Sequence, residues 1–341
     1  VGLFRRVARA RLASQVIKRL RRSGMTDARY HSASFTVRFV RPGDDQPSVL
    51  RLDEVKRGQV TSFVAGFLRA PGLPANWAEA RPLLRPVLRG VTTTSDVSAP
   101  LCRPAFPLLA EFVVVDQPDT MTYVNAAHGW GVTDAEVFAA ARDNLSGATL
   151  MGVAAEPVVV QFVDDGDAYW TSHLLLDGWL AALAGQVGGR PVAFAPERGL
   201  LLVTADDSAH LSGLFARAEA VYLASPRSIT PMAYVSDESG RTIPYDAKPG
   251  SPYDICVRRA KAVLAVREYA RQAVHLPLAA ELLITEDGRT RALWPADGPA
   301  LLPEADEVQF GAEIRSWAEL TGTLIPQNLS PERWRAEAWP T

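Results

Sequence analysis

The feature that most constrains this chain is the order in which its apolar runs arrive. From Glu111 onward, pairs of short runs joined by tight turns alternate with longer stretches of helical spacing. Phe112–Val115 and Met121–Asn125 flank the turn Asp116-Gln-Pro-Asp119, and a helix opened by Thr133 follows. A strand at Val158–Val163 and a helix around Thr171–Ala184 come next. Two hairpins then lead into helices: Val192–Phe194 with Leu200–Thr204 before Ala209–Leu223, and Met232–Val235 with Thr242–Tyr245 before a helix from about Tyr253 to Ala273. A further hairpin, Glu281–Thr285 with Arg289–Trp294, precedes a last helix near Val308–Leu320. Strands joined by tight turns must run antiparallel, whereas parallel neighbours need a long crossover. The expectation is therefore α+β: antiparallel sheets built from repeated strand-strand-helix units, with helices packed on one face.

Two local signals carry a mechanism. Thr133 followed by Glu136 is a Thr-x-x-Glu capping box, in which hydroxyl and carboxylate each satisfy a free backbone N–H of the first turn. Glu238-Ser-Gly-Arg-Thr242 and Glu286-Asp-Gly-Arg-Thr290 echo each other at two hairpin tips. Turn chemistry alone selects Gly beside Ser or Asp, so the echo does not establish a duplication.

Upstream, residues 3–20 place Phe4, Val7, Ala13, Val16, Ile17 and Leu20 on one helical face and arginine or lysine on the other. The same pattern serves a helix that touches membrane or nucleic acid and a terminal helix that docks its apolar face while its cations stay solvated. Phe35–Val40 and Val49–Leu52 read as a hairpin around Arg41-Pro-Gly-Asp-Asp45, with a helix from about Val55 to Leu68 behind it. Pro71–Pro86 and Pro100–Pro107 read as an irregular connection with one short strand around Pro86–Val91, because proline removes backbone donors. The chain divides into 1–110, a central α+β region 111–245 and a C-terminal extension 246–341.

Composition excludes several classes. With 341 residues, 48% hydrophobic and 22% charged, the chain can bury a core and lacks the profile of disorder. A net charge of -2 argues against chain-wide attraction to nucleic acid or anionic lipid. No run approaches the roughly 20 apolar residues of a membrane span, and Arg9, Arg11, Lys18 and Arg19 interrupt any signal-peptide core. Two cysteines, Cys102 and Cys256, support neither a disulfide framework nor a paired-cysteine zinc site, which fits a reducing cytoplasm.

The densest group of potential ligands is Asp164, Asp165 and Asp167 around Gly166, with His173 six residues on. Carboxylates on a glycine turn suit a hard divalent cation, although the closing Glu of a calcium loop is missing. Acidic residues before a helix also complement its dipole, which is the structural reading of the same loop. The histidines His31, His128, His173, His210 and His275 include no i, i+4 pair, and no nucleophile elbow, phosphate loop or dinucleotide turn occurs, so no cofactor is assigned. Arg103 beside Cys102 is the single hint of a depressed thiol pKa. Trp317, Trp334 and Trp339 give the C-terminal segment interface-type aromatics, which serve equally to anchor that segment to its own domain.

Phe112-Val-Val-Val-Asp-Gln-Pro-Asp-Thr-Met-Thr-Tyr-Val124, then Trp130-Gly-Val-Thr133 and Arg142-Asp-Asn-Leu145, resemble the middle of YtpQ-like proteins, a family of uncharacterised bacterial proteins. Tyr30-His31, Leu84-Arg-Pro-Val-Leu-Arg89, Asp165-Gly166, Pro191–Val203 and Ile229–Tyr245 follow the same order, so the resemblance covers roughly residues 10–245. Where the family has Tyr-Asp-Ala-x-Arg after its Asp-Gly, this chain reads Asp167-Ala-Tyr-Trp-Thr-Ser-His173. The resemblance implies no reaction and no catalytic residue. The expected function is a non-catalytic cytoplasmic binding or adaptor protein acting on a protein partner or small ligand. Two alternatives stand beside it: a metal-assisted hydrolase or transferase built on the Asp164–Asp167 loop, and membrane-surface or nucleic-acid contact through the basic N-terminal helix.

Overall fold

The structure, a computed structural model, describes residues 2–40, 47–52, 55, 60, 64, 73–92, 100–117, 120–126, 128–145, 152–163, 169–248, 250–274, 276–295 and 298–339. Helix takes 31% and strand 34%, and most strand pairs are antiparallel, so the class is α+β as the order of runs requires. The predicted helix Val55–Leu68 lies largely outside the described residues.

Helix α1 (Gly2–Arg22) packs on a three-stranded meander of β1 (Thr26–His31), β2 (Thr36–Val40) and β3 (Pro47–Arg51). Its heptad-like stripe Ala13, Val16 and Leu20 is buried against Val37, Phe39 and Leu50. Gly24, at φ 86°, ends the helix, with Met25 N–H donating to the Leu20 carbonyl and Gly24 N–H to that of Arg21. These two bonds form a Schellman cap, which needs a left-handed residue at this position.

After a short helix α2 (Trp77–Ala80), strand β4 (Leu84–Gly90) pairs along its full length with β6 (Leu109–Gln117). The opposite edge of β6 takes β5 (Cys102–Phe106) and β7 (Thr120–Tyr123). The expectation of an irregular connection over Pro100–Pro107 is corrected here, because β5 occupies it. Pro86 and Pro104 are tolerated since β4 and β5 each pair on one side only and need no donor on the other. Strands from both sides of residue 110 share this sheet, so a boundary at that point runs through one structural unit.

β6 is buried on both faces, which explains its unbroken apolar run. Val113 and Val115 face helix α3 (Asp134–Asp143) through Val137 and Ala141, while Phe112 and Val114 pack with Val87 and Tyr169. The capping box forms as read: Glu136 N–H donates to Thr133 Oγ1 at 3.3 Å and Thr133 N–H to Glu136 Oε2 at 2.8 Å.

The largest core lies around a five-stranded sheet of β8 (Val160–Val163), β9 (Pro191–Glu197), β10 (Leu200–Ala205), β11 (Ala233–Ser236) and β12 (Thr242–Pro244), in the order β12-β11-β9-β10-β8. Between β8 and β9 the expected helix is replaced by 3-10 turns at Trp170–Leu175 and Ala181–Leu183 and a single turn, α4 (Ala184–Val187). All of Thr171–Leu175 is buried, so this segment has no solvent-facing stripe and lacks the one-sided pattern of a surface helix. Helices α5 (Leu211–Ala224) and α6 (Asp254–Ala273) close the core with Leu214, Phe215 and Tyr222 from one and Val257, Ala260 and Leu264 from the other.

Beyond α6, β13 (Glu281–Ile284), β14 (Thr290–Leu293), β16 (Glu307–Phe310) and β17 (Glu313–Ser316) form one sheet, and β15 (Ala300–Pro303), β19 (Arg333–Ala336) and β18 (Ile325–Gln327) another. The expected last helix Val308–Leu320 is therefore corrected to β16, β17 and a single turn, α7 (Trp317–Leu320). Gly311, at φ 58°, turns the chain between the two strands. The β14–β16 pair is parallel, an exception to the antiparallel rule that spacing alone does not reveal.

One close approach joins the central sheet to α6. Gly90, at the end of β4, lies where an added Cβ would sit 2.4 Å from both carboxylate oxygens of Glu268. That carboxylate is fully buried and accepts from Thr92 Oγ1 at 2.9 Å and from Arg271 Nη1 at 2.5 Å, so it cannot swing away. Gly90→Ala is expected to lower stability by about 2 kcal/mol, as overpacking a closed site does. Urea unfolding of the two proteins measures it, and equal midpoints would refute the contact.

Candidate functional site

Helix α1 concentrates charge of one sign. The helix holds eight of the chain's 36 basic residues and none of its 38 acidic ones, which leaves 28 bases against 38 acids elsewhere. The core takes its apolar stripe, so the cations are driven to the opposite face: Arg11, Lys18, Arg21 and Arg22 are all exposed. Arg19, Arg21 and Arg22 lie in the last turn, where the helix dipole favours positive charge. Arg21 Nη2 donates to the Ala28 carbonyl at 3.3 Å, and Arg9 stacks over the Phe35 ring at 4.5 Å. Among the described residues no carboxylate pairs with Arg11, Lys18, Arg21 or Arg22. Ser14, Ile17, Lys18, Arg21 and Arg22 line an open surface groove of about 370 Å³.

The predicted metal loop is only partly placed. Asp164, Asp165 and Asp167 lie outside the described residues. His173 is buried, its ring between Trp170 at 5.1 Å and Trp179 at 5.0 Å, with Nδ1 3.2 Å from the Tyr169 carbonyl. Among the described residues no three His, Cys, Asp or Glu side chains gather as a metal site would require.

The three C-terminal tryptophans are half-buried and meet other aromatic rings of the same chain. Trp317 and Trp334 form an edge-to-face pair at 5.3 Å. Trp339 packs on Trp294 and Phe310, donates from Nε1 to Glu313 Oε2 at 2.7 Å and lies under Arg315. Arg103, the cation beside Cys102, is engaged elsewhere: it pairs with Glu111 at 2.6 Å and covers the Phe138 ring. Partial burial pushes the Cys102 thiol up, against a reactive thiolate. Cys256 packs against the large core.

Sequence reasoning missed a set of buried charges. Glu111, fully buried on β6, accepts from Arg103 Nε at 2.6 Å and from Arg142 Nε and Nη2 at 2.8 and 2.7 Å. Arg89, on β4, is likewise buried. The signal for both was a charged residue inside an apolar strand run, Leu84-Arg-Pro-Val-Leu-Arg89 and Ala110-Glu-Phe112.

Comparison of the chain with protein-family models, curated proteins and solved structures gives no match. What class the molecule belongs to is thus stated by its own architecture, an α+β protein. Among the described residues no helix is long and apolar enough to cross a membrane.

Proposed function

We propose that the chain is a non-catalytic binding protein, an adaptor of the cytoplasm that holds an acidic segment of a protein partner along the basic face of α1. The observation that supports this reading is the separation of charge: every residue of the α1 cation set is unopposed by acid within its own helix. Kinship with the YtpQ-like family, suggested by the ordered blocks over residues 10–245, belongs to the same proposal and supplies no site to it.

Two arguments favour an acidic peptide over the other polyanions. Ala13, Val16 and Leu20 are buried in the core and Leu12 and Ile17 pack against it, so over residues 9–22 of α1, where side chains are described, no apolar stripe is left to insert among lipid chains. A long nucleic acid would run past α1 onto a remainder that carries ten more acids than bases, where like charge repels it. A short acidic segment meets the cations alone.

A fluorescently labelled glutamate-rich peptide, followed by anisotropy, tests the reading. Binding is expected at low ionic strength and is expected to weaken steeply as salt shortens the Debye length to about 8 Å. Lys18→Glu with Arg22→Glu should weaken it at least about tenfold while thermal unfolding stays unchanged, both side chains being exposed. Absence of peptide binding, or preferential binding of duplex DNA or anionic vesicles, would overturn it.

A further inference from the structure

The cations of α1 have a counterpart on the same chain. Residues 281–341 hold eleven acidic side chains against five basic ones. All five bases are engaged. Arg289 and Arg291 pair with Glu307 at 2.6 and 2.8 Å, Arg335 pairs with Glu337 at 2.8 Å, and Arg315 lies 3.7 Å from Glu313. Arg333 is buried among backbone carbonyls. The excess negative charge is left to carboxylates that no cation answers.

Four of these carboxylates belong to one end of the C-terminal sheets. Pro303 pairs with Arg333 across β15 and β19, so Glu304 and Glu332 are the next residues outward on the two strands. Asp306 follows two residues on, and its carbonyl accepts from Trp317 N–H at 3.1 Å. Glu319 Oε2 accepts from the adjoining Ser316 N–H at 2.7 Å, which brings Glu319 to the same corner. All four side chains are exposed, and none makes an ion pair among the described residues. Within one chain, no hydrogen bond or ion pair among the described residues joins this end to α1, whose contacts run to Ala28 and Phe35.

We infer that the basic face of α1 in one copy of the chain docks on the acidic end formed by Glu304, Asp306, Glu319 and Glu332 in a second copy. The inference rests on the α1 face being a holder of acidic protein, and it names that protein as the chain itself. Four exposed cations, Arg11, Lys18, Arg21 and Arg22, meet four exposed carboxylates. Complementary charge steers such an encounter and suppresses wrong orientations, in which like charges would face each other. The acidic end is already folded, so docking it orders fewer side chains and less backbone than docking an unstructured acidic segment. Because the two patches lie on different parts of the chain, the contact is head-to-tail, and it closes into a ring or grows into a filament.

Sedimentation velocity of the full chain over a concentration series tests it. At low ionic strength the weight-average mass is expected to rise with concentration, and to fall to that of one chain as added salt shortens the Debye length to about 8 Å. Lys18→Glu with Arg22→Glu, and separately Glu304→Lys with Glu332→Lys, should each weaken association at least about tenfold. All four side chains are exposed, and thermal unfolding checks that each variant keeps the fold. Mixing the two variants should restore association, because the intact α1 of one then meets the intact acidic end of the other. Glu304→Lys with Glu332→Lys leaves α1 untouched, so this variant should still bind the glutamate-rich peptide, which separates the docking from the reading of α1 on which it rests. A chain that stays monomeric at low salt, association that salt or either reversal leaves unchanged, or a mixture that stays monomeric overturns the docking. A monomer that nonetheless binds the peptide leaves the α1 face to a different acidic protein.

Discussion

Replacing Glu111 by glutamine is expected to destabilise the folded chain by about 3 kcal/mol, the usual loss when one member of a buried ionic group is removed. The carboxylate is 1% exposed, whereas its partners Arg103 and Arg142 are roughly a third exposed at 39% and 32%. In the parent, one negative charge holds two cations at 2.6 to 2.8 Å and ties α3 to the β5–β6 edge. The partner guanidinium of Arg142 is raised above its ordinary value, chiefly by its hydrogen bonds to Glu111. Without the carboxylate, two guanidiniums face each other with no counter-charge. Denaturant unfolding measures the loss, and a triple replacement by apolar side chains of similar volume should recover much of it, because the desolvation of all three charges is removed together. If Glu111→Gln unfolds within about 0.5 kcal/mol of the parent, the range of a neutral surface change, the group is not a structural support.

Arg333→Met should be at least as costly, about 4 kcal/mol, and its effect should be confined to the C-terminal sheets. Arg333 is completely buried and its guanidinium meets no carboxylate among the described residues. It donates to the carbonyls of Ala280, Leu301 and Tyr269 at 3.1, 2.8 and 3.1 Å, and to Gln272 Oε1 at 2.6 Å. One side chain thus joins α6, the approach to β13, and β15. Desolvation pushes its pKa down, yet the acceptors keep the cation in place. Methionine fills the stem but leaves these acceptors unsatisfied, each at a cost of about 1 to 3 kcal/mol. Lysine should not rescue, since its donors spread from one atom and cannot span a planar fork's targets. Hydrogen exchange resolves the outcome: faster exchange in β15, β18 and β19 with β9 and β10 unchanged is expected, and uniform protection would refute it.

Much of the local structure was legible because short-range chemistry decides it. The short apolar runs of β9, β10, β11 and β12, the helical spacing of α1, α5 and α6, and the Thr133–Glu136 box all appear where apolar runs bounded by turns, helical period and capping place them. The hairpin echo is also physical. Gly240 and Gly288 both take positive φ, at 84° and 79°, their N–H groups donate to the carbonyls of Asp237 and Thr285, and the N–H groups of Asp237 and Thr285 donate to the carbonyls of Arg241 and Arg289. The errors share a cause. Thr171–Leu175 is buried all round and so lacks a solvent-facing stripe, and Val308–Leu320 has apolar residues at both helical and alternating spacing, so partner strands decide between them.

By itself, then, the sequence determined the mixed class, the hairpins, the three long helices and the concentration of cations on α1, since each depends on residues close together in the chain. Only the tertiary structure decided that β14 runs parallel to β16, that Pro104 sits in an edge strand, and that Glu111, Arg89 and Arg333 lie inside. Those outcomes depend on which segments meet. Burying a charge is unfavourable until partners from distant elements surround it, and residues as far apart as Glu111 and Arg142 carry no periodicity that links them.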